Sequence, residues 1–112
     1  MPEPVSRNRR EHFRLCYPEA DRPLLLCGAL SVPVVELSAT GMRVLGEHEP
    51  LWPGADFAAR LRFSDGVVIG VTGTVLRRET DVTVLKFRTG VPFRRMLGEQ
   101  RRVLPKADPA TA

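Results

Sequence analysis

The sequence predicts a small, mainly β domain that ends in one α-helix, and three observations carry that prediction. Apolar residues recur with period two through most of the chain, the signature of half-buried strands. Turn-forming Gly, Pro, Ser and Asp punctuate those runs at close spacing. After Gly90 the period lengthens to that of a helix. Strands do not alternate with helices, which excludes a doubly wound parallel sheet. A closed or nearly closed antiparallel barrel, with the helix over one mouth or seam, disposes of exposed strand edges in a chain of 112 residues. Hydrophobic residues at 43% and charged residues at 27% are the balance of a folding chain rather than a disordered one.

The elements follow in order. Residues 1–8 hold two prolines and no periodicity and read as a mobile arm, ahead of a domain over 9–105 and a disordered tail over 106–112. Phe-Arg-Leu-Cys-Tyr-Pro at 13–18 suits a first strand ended by Pro18. Arg22–Cys27 contains Leu24, Leu25 and Leu26, a run that fits either a buried strand or a short turn of helix. Leu30–Leu37 is valine-rich and reads as strand, with Pro33 at an edge or bulge because it has no N–H for a ladder. Residues 38–41 turn into a strand at Met42–Leu45, and the Pro-rich stretch Glu47–Gly54 is a loop.

Asp56–Phe63 has the cleanest alternation, with Phe57, Ala59, Leu61 and Phe63 on one face and Arg60 and Arg62 on the other. Ser64-Asp65-Gly66 reads as a hairpin turn into the long strand Val67–Arg77, where Gly70 and Gly73 suggest a bend or bulge. Glu79-Thr80-Asp81 turns into Val82–Phe87. The closing helix carries Val91, Phe93, Met96, Leu97, Val103 and Leu104 on its apolar side, with Pro92 at its start and Pro105 at its end.

Function classes narrow quickly. No apolar run approaches the roughly 20 residues of a membrane-spanning helix, and the basic N-terminus lacks the apolar core of a secretory signal, so a cytoplasmic location is expected. Cys16 and Cys27 have no metal-ligand spacing and read as small apolar residues in strands. His12 and His48, the scattered carboxylates and the few serines form no catalytic pattern, and no phosphate-cradling Gly-rich loop is present, so the chain is not expected to be an enzyme or to carry a cofactor. The formal net charge of +4 points to anionic partners. Fifteen of the 17 basic residues are arginine, whose guanidinium fork pairs bidentately with phosphate and with guanine edges.

Two segments concentrate that chemistry. Arg9, Arg10 and Arg14 crowd the start of the domain, with Arg10 and Arg14 four residues apart, and a set of this kind on a flexible arm can close around an anion. Taken alone, it reads more readily as a solubilising basic arm or a non-specific nucleic-acid contact. Glu36-Leu37-Ser38-Ala39-Thr40-Gly41, at a strand end, places an acid, a hydroxyl and a glycine in one hydrogen-bonding corner. Taken alone, that corner reads as an ordinary Ser/Thr turn.

Together, the Arg-x-x-x-Arg of Arg10–Arg14 and, about twenty residues on, the acid-x-Ser-x-x-Gly of Glu36, Ser38 and Gly41 resemble the PilZ domain family. The likeness spans about Arg7 to Leu104. It implies a six-stranded antiparallel β-barrel with a C-terminal helix, and a bacterial receptor for the second messenger cyclic di-GMP. By the same resemblance Arg10 and Arg14 contact phosphates and guanine edges, Glu36, Ser38 and Gly41 line the barrel surface beneath a guanine, and Arg9 stands where an extra arginine accompanies an intercalated ligand dimer. One departure is Glu36, since the family position is usually Asp or Asn. Its additional methylene displaces the carboxylate by about 1.5 Å.

Ligand-induced ordering of the arm and capture of a protein effector form the expected mode of action. The alternatives are a PilZ-like module that binds protein partners without nucleotide, as in type IV pilus assembly, and a nucleic-acid-binding barrel. Few aromatics are available as stacking platforms, so specific DNA or RNA binding is not expected.

Overall fold

The computed structural model describes residues 14–107, so the expected arm at 1–8 lies outside the described residues, as do Arg9, Arg10 and His12 and the tail from 108 onward. Seven strands form, β1 (Arg14–Cys16), β2 (Leu24–Cys27), β3 (Leu30–Ser38), β4 (Gly41–Leu45), β5 (Asp56–Arg62), β6 (Val68–Glu79) and β7 (Val82–Thr89), followed by α1 (Phe93–Ala107). The run at 24–27, ambiguous in sequence, is strand.

All pairings are antiparallel, in the order β1-β3-β2-β5-β6-β7-β4, with β3–β4 pairing closing the sheet on itself. Short β1 and β2 lie end to end along the same edge of β3, β1 against 36–38 and β2 against 30–33. A 3₁₀ turn at Glu19–Asp21 separates them. The seven strands therefore make six staves, and the protein is a six-stranded antiparallel barrel with one C-terminal helix.

Period two explains the interior. Leu15, Leu25, Val34, Leu37, Val44, Leu61, Val71, Val75 and Leu85 are almost completely buried. Arg60 and Arg62 of β5 face outward, as the alternation requires. The β5–β6 connection closes by Phe63 N–H donating to the Val67 carbonyl at 2.8 Å, with Gly66 at φ 92° supplying the left-handed residue of a three-residue hairpin loop. Pro33 sits one residue beyond the last β3–β4 pair, Val34–Val44, so no ladder bond needs its missing N–H.

Three irregularities re-aim side chains. In β3 the pairs Val34–Val44 and Glu36–Arg43 leave Val35 as an extra residue. Strict alternation from Val32 and Val34 would point Glu36 inward; the bulge turns Glu36 outward and Leu37 inward. A second shift makes Leu76 the extra residue of β6, and a third falls at Gly73. A Cβ on Gly73 would strike the Lys86 carbonyl oxygen and come within 2.9 Å of Phe87 Cα, so backbone proximity fixes that glycine. Gly70, by contrast, pairs with Arg60 in regular register.

The helix differs most from expectation. Met96 and Val103 are buried, but Phe93 is 73% exposed and Leu97 36%, while Glu99, an acid, is fully buried. Glu99 accepts hydrogen bonds from Tyr17 Oη (2.7 Å), Arg95 Nη2 (2.9 Å) and Arg102 Nη2 (2.6 Å). Arg95 also bonds Asp65 at 2.8 Å and lies over the Phe63 ring, while Arg102 donates to Ser64. A polar network thus joins buried Met96 and Val103 in pinning α1, and ties it to the end of β1 and to the β5–β6 turn. Burial, then the bond to Glu99, pushes the Tyr17 hydroxyl far above its ordinary pKa, so it remains a donor. The helix runs to Ala107, past its expected end at Pro105.

Candidate ligand-binding site

Across β1, β3, β4, β7 and the end of β6 the outer barrel face holds an open cleft of about 310 Å³. Its rows follow from strand register. Cys16 pairs with Glu36, Glu36 with Arg43, Arg43 with Val84, and Val84 with Arg77. One step along the barrel, Arg14 pairs with Ser38, and Gly41 with Lys86. Residues distant in sequence thereby share one surface, and the bulges at Val35 and Leu76 aim Glu36 and Arg77 into it.

The charged side chains form an alternating chain. Glu36 Oε1 lies 3.0 Å from Arg43 Nε and 3.7 Å from Arg14 Nη1. Arg43 Nη1 also pairs with Glu79 Oε1, and Glu79 Oε2 takes Arg77 Nε at 2.7 Å. Lys86 lines the cleft and meets no carboxylate among the described residues. Four basic groups therefore face two acids. The Arg77 hydrogen bond, and then that from Arg43, hold the Glu79 carboxyl below its ordinary pKa, so it stays ionised near neutral pH. Leu76 and Val84 add an apolar floor.

Cys16 departs from the expected packed apolar residue. It is exposed, and its Sγ lies 3.4 Å from Glu36 Oε2. Burial pushes the thiol pKa up, and the bond and charge of Glu36 push it further, so the sulfur is a protonated donor rather than a thiolate. Both Glu36 oxygens are thus engaged, one by arginines and one by the thiol.

Ser38 and Gly41 also have local duties. Ser38 Oγ accepts from the Thr40 and Gly41 N–H groups at 3.2 and 3.1 Å, which shapes the β3–β4 turn. A Cβ on Gly41 would collide with the Leu85 carbonyl oxygen, so this position needs glycine for β4 to reach β7. Of the six residues singled out in sequence, Arg14, Glu36, Ser38 and Gly41 meet in this cleft, and Arg9 and Arg10 lie outside the described residues. Arg43, Arg77 and Lys86 join them through strand register and bulges, and no local motif marks them.

Among the described residues, no helix is long and apolar enough to cross a membrane, and no group of three His, Cys, Asp or Glu side chains is placed to hold a metal ion. Comparison with curated proteins gives no match. The crystal structure of an uncharacterized Legionella protein superposes with a TM-score of 0.61, covering 87% of this chain and 99% of that one. At 18% identity the likeness is one of fold. The PilZ domain profile matches residues 8–105. That match takes in the whole barrel, the cleft and nearly all of the helix, and the chain accordingly belongs to the PilZ domain family, whose members are generally non-catalytic receptor domains that typically bind cyclic di-GMP.

Proposed function

We propose that this protein is a cyclic di-GMP receptor that acts by binding and without catalysis, and that the cleft over β3, β4 and β7 is where the nucleotide sits. The observation that carries the reading is the convergence of Arg14, Arg43, Arg77 and Lys86 with Glu36 and the Ser38–Gly41 corner on one open face. A ligand with two phosphates and two guanines asks for that mixture. Guanidinium groups take phosphate oxygens and the O6/N7 edge of guanine, while a carboxylate accepts from guanine N1–H and N2–H.

Arg14 is 56% exposed and held, among the described residues, only by its 3.7 Å contact with Glu36, so it can swing toward a bound anion. Arg10 precedes it by four residues in the sequence. In this reading Arg9 and Arg10 close on the bound ligand, and ligand-induced ordering of the arm changes the surface presented to a protein effector.

A second reading, a protein-binding module without nucleotide, is favoured by the occupied state of Glu36. A guanine must displace Cys16 and share Glu36 with two arginines. Calorimetric titration of cyclic di-GMP into wild type, Arg10→Ala, Arg14→Ala and Glu36→Asp separates the two. The receptor reading expects heat with wild type and at least tenfold weaker binding for either arginine variant. No heat with wild type, and strong binding appearing only in Glu36→Asp, would establish the second reading instead.

A further inference from the structure

From the outward face of α1 we infer a docking site for a partner helix that carries an apolar knob between two acidic residues. The four residues Arg94, Leu97, Gly98 and Arg101 have the i, i+3, i+4, i+7 arrangement of the hole that receives a side chain in helix–helix packing. All four are exposed. Gly98 is its floor, and a Cβ built there meets nothing within 4 Å. The fold therefore supplies no packing reason for a glycine in mid-helix, where it is among the poorest helix formers. Close approach of another helix supplies one.

Charge selects the occupant. Of the four arginines on α1, Arg95 and Arg102 are consumed inward by Glu99 and Asp65. Arg94 and Arg101 meet no carboxylate among the described residues. They stand at the two ends of the hole, seven residues and about 10 Å apart along the helix axis. Phe93, at 73% exposed, stands one turn before Leu97 and extends the apolar part of this face. A matching helix reads Glu-x-x-Leu-x-x-x-Glu, its leucine over Gly98 and its acids beside Arg94 and Arg101. The site is distinct from the nucleotide cleft and does not depend on it.

The test uses the full chain and two labelled helical peptides, one carrying Glu-x-x-Leu-x-x-x-Glu and one with lysine at both acid positions, followed by fluorescence anisotropy. Wild type should bind the acidic peptide at least tenfold more tightly than the basic one. Gly98→Leu, which fills the hole and favours the helix, should weaken the acidic peptide at least tenfold, with far-UV circular dichroism unchanged. Arg94→Glu/Arg101→Glu should invert the preference. Equal binding of both peptides by wild type, or acidic-peptide binding that survives both variants, overturns the inference. So does binding to phosphatidylglycerol vesicles that the same variants abolish while neither peptide binds, since the face would then be a lipid surface.

Discussion

Tyr17→Phe isolates a single bond between the cleft-bearing edge of the barrel and the helix. Tyr17 follows β1, whose Arg14 lines the ligand cleft, and its hydroxyl donates to Glu99 at 2.7 Å inside the protein. Removing the hydroxyl leaves the ring's packing intact and deletes one charge-assisted bond, of a class worth roughly 1.5–3 kcal/mol. Glu99 keeps Arg95 and Arg102, so the cost belongs at the lower end, about 1.5–2 kcal/mol. Glu99→Ala is more severe. It takes the shared carboxylate from two largely buried guanidinium groups, leaving Arg95 with Asp65 and Arg102 with Ser64, and losing one side of a buried ion network costs about 3–5 kcal/mol. Urea denaturation followed by circular dichroism measures both, with the slope of the transition checking that the two variants unfold from the same compact state. The double variant should cost about 1.5 kcal/mol less than the two single losses combined, because the shared bond is counted twice in them. A Tyr17→Phe midpoint equal to wild type, or strict additivity in the double variant, would refute the network as the helix anchor.

Gly73→Ala should destabilise by about 1–3 kcal/mol or prevent folding, because its methyl would overlap the Lys86 carbonyl oxygen; a thermal melt with an unchanged midpoint contradicts this. Ser38→Ala removes the acceptor of the Thr40 and Gly41 N–H bonds and should cost about 1 kcal/mol in the same melt, whether or not nucleotide is present. Acid should loosen the fold in a defined window. Arg95 holds the Asp65 carboxyl below its ordinary value of 3.8, and Arg77 and Arg43 hold that of Glu79 below 4.5. Depressed carboxylates stabilise fully above those values, and the stabilisation is lost as pH falls through the lower folded-state pKa values. Urea midpoints should therefore be flat from pH 7 to about 5 and fall below about 4, and Asp65→Asn should flatten part of that fall.

Much of the barrel was legible because period two is a strong signal when one face of a strand is buried. The Asp56–Phe63 alternation, the Ser64–Gly66 turn and the strand at Val82 all stand where the pattern puts them. The Arg14, Glu36, Ser38 and Gly41 cluster was legible for a different reason, since those residues fall in two short motifs. What the pattern could not supply was phase. The extra residue at Val35 reverses the facing of Glu36, and no local preference marks that bulge in Val-Val-Glu-Leu. Arg43, Arg77 and Lys86 reach the cleft through pairings across as many as 45 positions of sequence (Gly41 with Lys86), which only the closed topology reveals. The helix misled in the opposite direction. Phe93 and Leu97 read as core by hydropathy, whereas the fold buries Glu99, because Tyr17, Arg95 and Arg102 together meet the needs of its charge.

Backbone amide shifts in an NMR titration with cyclic di-GMP report where the ligand sits as well as whether it binds. Saturable shifts should concentrate at Arg14, Glu36, Ser38, Gly41, Arg43 and Lys86, together with changes in the resonances of Arg9 and Arg10. Signals at Arg60 and Arg62 on β5, the stave across the barrel from β4, should stay quiet. Saturable shifts centred on β5 or on α1, with the cleft unperturbed, would contradict the proposed site.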